Sequence, residues 1–165
     1  MKSLNSSLQM YSKVLQKTDM QEAYRELIAF ITKFQGDFKN KHTEYEVSKG
    51  LYHGYLDLSF FTFTSEQLKP KHLKIAVVFL HKEMRFEAWL SGRNRNIMST
   101  YHKKLIAFNL GEYILANDEK GMDSIIEGIL VINPNFDDLD GLASEIDCNT
   151  IKFTNDIQNV LFDID

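Results

Sequence analysis

The chain has 165 residues, 44% of them hydrophobic and 25% charged, with a net charge of -4. That balance is ordinary for a globular protein, and the length is sufficient for one domain, 1–165, with a core that needs no staples. The single cysteine, Cys148, excludes an internal disulfide, and no window approaches the ~18 apolar residues of a membrane-spanning helix. The opening MKSLNSSLQMYSKVL has no long apolar run and no small-residue cleavage site. A cytoplasmic protein in a reducing compartment is therefore expected.

Charge is unevenly spread. From Lys69 to Lys104 there are nine Lys and Arg against two acids, whereas from Asn133 to Asp165 eight acids accompany Lys152 alone. Two readings are open: the two surfaces are solvated or face each other within the fold, or the basic stretch meets an anionic partner. The acidic pI of about 5.7 argues against general nucleic-acid affinity, though not against a local patch.

Residues 3–16 predict a short helix with Leu8, Tyr11 and Leu15 on one side. Asp19 then reads as an N-cap, with Glu22 three residues on completing a capping box. The helix that follows has the clearest pattern, because Met20, Tyr24, Leu27, Ile31, Phe34 and Phe38 recur at steps of four and three and make one apolar stripe. It is expected to lie across a sheet and to end through Lys39, Lys41 and His42, where positive charge suits the helix dipole.

Gly50 and Gly54 bracket the entry to a first strand, YHGYLDLSFFTF, in which Leu56, Leu58 and Phe60 alternate with Tyr55, Asp57 and Ser59. Phe61 and Phe63 break that phase, predicting a bulge or a strand end covered on both sides. After a loop containing Pro70 comes the stretch around which the chain is organised, LKIAVVFLHKEMRFEAWLSG, residues 73–92. Ile75, Val77 and Phe79 alternate with Lys74, Ala76, Val78 and Leu80, and beyond Lys82 and Glu83, Phe86, Ala88 and Leu90 alternate with Arg85, Glu87, Trp89 and Ser91. A two- or four-residue turn places Phe79 opposite Phe86, Val77 opposite Ala88 and Ile75 opposite Leu90. A slip of one residue would put Arg85 and Glu87 in the core, so the pattern enforces the register.

Gly92 ends the third strand, and RNRNIMSTYHKKLIAF predicts a helix with Ile97, Met98, Tyr101 and Leu105 inward. EYILAN supplies a short fourth strand. SIIEGILVI fits either a buried strand or a helix; with Asp123 as a cap and Pro134 beyond its end, helix is the reading adopted. The tail from Asp137 is an amphipathic helix or helix pair with Leu139, Leu142, Ile146, Phe153, Ile157, Val160 and Ile164 on its inner side. The fold class is α+β, an antiparallel three- to four-stranded sheet in αβββαβ-like order packed with helices, followed by a C-terminal helical segment.

The segments GYLDLSFF, LKIAVVFLHKEMRFEAWLSGRN and DSIIEGILVINPNFDDLD resemble an uncharacterised bacterial family known only as a domain of unknown function. The resemblance runs from about Asp19 to the end, and RFEAWLSGRN with the Pro134–Asp140 turn are its most specific pieces. It implies a small stand-alone bacterial protein and brings no activity, cofactor or site with it.

No motif names a chemistry. The five histidines, His42, His53, His72, His81 and His102, lack HExxH spacing, no Cys/His group has zinc-ligand spacing, and no GxxxxGK[ST], GxGxxG or GxSxG occurs. No metal or cofactor is therefore called for. The element order also matches the core of the PD-(D/E)XK nuclease fold, whose metal chemistry would fall to Asp57 and Glu87. Trp89 stands where that chemistry places a lysine, two residues after the acid, and a salt bridge to Arg85 is the simpler use of either carboxylate. What remains is a wall of Tyr55 and Asp57 on one strand and Arg85, Glu87 and Trp89 on another, with Arg93 and Arg95 at the next helix start. An aromatic ring among guanidiniums and carboxylates suits a polar or anionic small ligand, or a protein partner. The reading adopted is a non-enzymatic binding or regulatory module, with a metal-dependent hydrolase or degenerate nuclease as the alternative.

Overall fold

The computed structural model describes residues 1–117 and 123–165. Its centre is the hairpin of β4 (Leu73–Leu80) and β5 (Arg85–Gly92), in the register the alternation demands, with Phe79 opposite Phe86, Val77 opposite Ala88 and Ile75 opposite Leu90. Four residues, His81–Met84, make the turn, and Met84 closes it in the left-handed region at φ 51°.

The sheet has seven strands where three or four were expected. Its order is β1 (Glu46–Val47), β3 (Leu58–Thr64), β4, β5, β7 (Ile126–Ile132) and β6 (Ile114–Leu115), with β2 (Tyr52–His53) folded back on β3, and every pairing is antiparallel. Two of the added strands, β1 and β2, are two residues long, as is β6, the short fourth strand that was expected. So short a piece carries no periodicity; of the three, only β6 was signalled, by the segment EYILAN. The third addition is the larger correction, because SIIEGILVI is no helix: Ile126–Ile132 forms β7 against β5. Its β-branched residues suit a pleated surface, and the Asp123 carbonyl accepts the Ser91 hydroxyl at 3.0 Å in place of any capping role. Gly128 is needed there, since a Cβ would lie 2.7 Å from the Phe153 ring and 2.9 Å from Tyr113.

In β3 (Leu58–Thr64) the register with β4 runs unbroken, so the phase break is no bulge. Ser59, Phe61 and Phe63 are buried on one face while Leu58 and Phe60 are half-buried on the other. The irregularity lies instead in the β5–β7 pairing, between Phe86 and Glu87.

The face carrying Phe61, Phe63, Phe79, Phe86 and Ile75 is covered by α2 (Met20–Lys41) and α4 (Leu139–Ile164). Phe34 reaches Phe61, Phe38 reaches Phe63 and Phe30 reaches Phe86, with ring centroids 6.0, 5.0 and 6.2 Å apart. From α4 come Leu142, Ile146, Phe153, Ile157 and Leu161, all buried. Each such side chain contributes on the order of 1.5–3 kcal/mol on leaving water. The tail is thus one helix, capped by Asp138, whose carboxylate accepts the Gly141 amide at 3.0 Å.

Asp19 occupies the N-cap position of α2 but makes no capping hydrogen bond with its side chain. The first helix, α1 (Leu4–Lys17), starts from a Ser3 cap and buries none of its residues. The remaining helix, α3 (Arg95–Leu105), turns Met98, Tyr101, His102 and Leu105 inward and is capped by Asn94, whose side chain accepts the Ile97 amide at 3.0 Å. Gly92 ends β5 as expected and also permits a close approach: a Cβ there would stand 2.9 Å from Met98.

Candidate functional site: the open face of the sheet

Residues of the opposite parity, Leu58, Phe60 and Thr62 on β3, Lys74, Ala76 and Val78 on β4, and Glu87, Trp89 and Ser91 on β5, make the second face. A groove of about 440 Å³ crosses this face diagonally. Its floor includes Phe60, Ala76 and Trp89, one end is closed by Tyr52 and Asp57, and at the other stand Lys74, Arg93 and Arg95, with Asp123 the one acid among them.

Local structure explains each position. The β2 fold-back lays Tyr52 on Phe60, rings stacked 4.8 Å apart at 25°. Asp57 ends the reversal between β2 and β3. Its Oδ1 accepts the amides of Leu58 and Tyr55, both at 2.8 Å, and the Leu58 amide above all holds its carboxyl below the usual range. Lys74 and Ser91 face each other across the hairpin, next to the Ala76–Trp89 pair. Arg93 leaves β5 through a backbone hydrogen bond to His72, and Arg95 opens α3, whose first turn carries no acid.

On β5, Arg85, Glu87 and Trp89 form a clamp. Glu87 is 2% exposed; its Oε2 accepts Arg85 Nε at 2.7 Å and its Oε1 accepts Trp89 Nε1 at 3.2 Å. A buried carboxylate requires such partners, and here they lock the indole in place as one wall of the groove. Of the residues expected to make a wall, Asp57, Trp89, Arg93 and Arg95 line the groove. Arg85 and Glu87 stand behind Trp89 and hold it, while Tyr55 is fully exposed in the turn and is not a lining residue. Asp57 and Glu87 do not converge: two strand spacings and three residues separate them, about 14 Å between Cα atoms. Among the described residues no group of three or more His, Cys, Asp or Glu is placed to hold a metal ion.

Tyr52, Phe60 and Lys74 were not anticipated as site residues. The alternation did place Lys74 on the same face as Trp89, a usable signal. Nothing in the sequence announces that Tyr52 folds back.

The basic stretch is divided in use. Lys71 and Lys104 both meet Asp165, Lys104 at 3.2 Å, so part of it does face the acidic tail. Among the described residues the side chains of Lys74 and Arg93 have neither ion-pair nor hydrogen-bond partner.

A second cavity, of about 580 Å³, lies at the other end of the hairpin, between the first half of α2, the His81–Met84 turn and the start of α4. Its walls are mainly apolar. His81 Nε2 lies 2.8 Å from the Ser59 hydroxyl, but Ser59 is 1% exposed and no described side chain hydrogen-bonds the other ring nitrogen. The pair satisfies a buried hydroxyl and does not present a nucleophile. Burial pushes the His81 pKa below its ordinary value of 6.5, against the pull of Asp57.

Fold and groove together define an α+β protein with one helix-covered sheet face and one open, polar-rimmed face. The chain belongs to the domain of unknown function family DUF7000, whose model matches residues 4–161. Neither the curated proteins nor the solved structures contain a match to it.

Proposed function

We propose that the protein is a non-catalytic binding module whose open sheet face takes a small anionic ligand. The observation that carries this is the pair Lys74 and Arg93, cations without partners among the described residues, at one end of a groove floored by Phe60 and Trp89. Unpaired cations beside an aromatic surface favour a ligand with an anionic group and a flat apolar part. The Glu87 clamp supports the reading, because it fixes Trp89 before any ligand arrives, and preorganisation lowers the cost of binding.

The test uses inorganic phosphate and sulfate as probes of the cationic end. A ligand selective for the native state raises stability by mass action, so phosphate should raise the melting temperature of the natural protein at constant ionic strength. Lys74→Ala combined with Arg93→Ala should abolish that rise while changing unliganded stability by less than about 0.5 kcal/mol. An equal rise in both proteins, or none in either, defeats the proposal.

A further inference from the structure

We infer that α1 of one molecule docks in the apolar cavity of a second copy, making a reciprocal dimer. The helix is 14 residues long and buries none of them; isolated helices of that length are marginal in water and gain their stability from a packed apolar face. Such a face exists. Leu4, Leu8 and Tyr11, spaced four and three apart, are 75%, 53% and 57% exposed.

The receiving surface is equally unpartnered. The cavity between α2 and the His81–Met84 turn is bordered by Met20, Leu56, Met84 and Leu139, which are 37%, 43%, 49% and 48% exposed. Its α2 wall, Met20–Phe30, is about 15 Å long, and α1 spans about 21 Å, so three turns of a helix fit along it.

Charge selects the occupant. Residues 1–18 contain Lys2, Lys13 and Lys17 and no acid. Glu26 and Lys82 both line the cavity, and in the segments that border it the sequence places five further acids, Glu22, Glu83, Asp137, Asp138 and Asp140, against Arg25. A basic amphipathic helix and an acidic-rimmed apolar groove on the same chain are complementary. No residue of α1 lines the cavity of its own molecule. Only Thr18, which is extended, and Asp19 separate α1 from Met20, so its own groove could be reached only by reversal over two residues. Exchange between two copies gives each groove a helix and closes on a two-fold axis.

Sedimentation velocity over a concentration series tests this with the full chain. The natural protein should show a concentration-dependent dimer that weakens as salt rises. Leu8→Asp with Tyr11→Asp should give a folded monomer with unchanged circular dichroism in the aromatic region, as should removal of residues 1–17. Lys13→Glu with Lys17→Glu should weaken association about tenfold, as expected for two rim charges, and Glu22→Lys with Glu26→Lys in the same chain should restore it. A natural protein monomeric at every concentration overturns the inference, as does a dimer that survives both the Leu8/Tyr11 change and the truncation.

Discussion

The two faces of the sheet are built from alternate residues of the same long strands, yet they are closed by different means. On the covered face Phe61, Phe79, Phe86 and Ile75 pack in the apolar cluster under α2 and α4, where the buried Ser59 hydroxyl is paired with His81. On the open face Val78 is fully buried and Glu87 nearly so, although neither belongs to the cluster under the helices. There the strands' own side chains provide the cover, with Trp89 and Arg85 bound to Glu87. A face under helices can keep a polar group only with a buried partner, whereas a face closed by its own residues can keep cations at its rim. On the proposed reading, that difference leaves stability to one face and recognition to the other.

The largest effect expected from testing this division is on the covered face. Phe79→Ala removes a ring packed on Phe86, 4.9 Å between centroids, and should cost ~3–5 kcal/mol in denaturant unfolding. A loss below ~0.5 kcal/mol would mean that the face is not packed as described. Glu87→Gln comes next. It weakens the clamp but keeps hydrogen-bonding capacity, and Arg85 is 36% exposed at its side chain, so a loss of about 1–2 kcal/mol is expected. Ligand-free Trp89 should then show altered fluorescence, a change that Phe79→Ala does not require. If Glu87→Gln costs as much as Phe79→Ala, the open face is core and the comparison breaks.

The smallest effect is on pH dependence. His81 is held neutral by burial in the folded state, so its pKa is depressed relative to the unfolded chain. Its contribution is complete above the unfolded value of about 6.5 and is lost as pH falls through the lower folded value. Stability should therefore decline on acidification below about pH 6.5, and His81→Gln should flatten that part of the profile. A decline of the same steepness in the variant would assign the titration elsewhere.

The hairpin register was legible because Arg85 and Glu87 tolerate only one pairing, and the α2 stripe because six apolar residues share one period. β7 was not, since Asp123 and Pro134 are helix punctuation on a segment whose Ile126, Ile129 and Val131 suit a strand. Local signals cannot show that β5 offers a partner 40 residues away. The site was half legible. Asp57, Trp89, Arg93 and Arg95 could be named from alternation and charge, but Tyr52 enters only through the fold-back onto Phe60. Burial separated Glu87, with Arg85 bound to it, from the lining residues, and burial is not a property of sequence spacing.

Titration of uniformly ¹⁵N-labelled protein with inorganic phosphate, followed by amide and indole shifts, tests the division of faces most directly. Saturable shifts should appear at Lys74, the Trp89 indole N–H and Arg93–Arg95, while Phe61, Phe79 and Ile157 on the covered side stay still. Shifts centred on the covered side, or a response that never saturates at the Lys74–Arg93 end of the groove, would contradict the account.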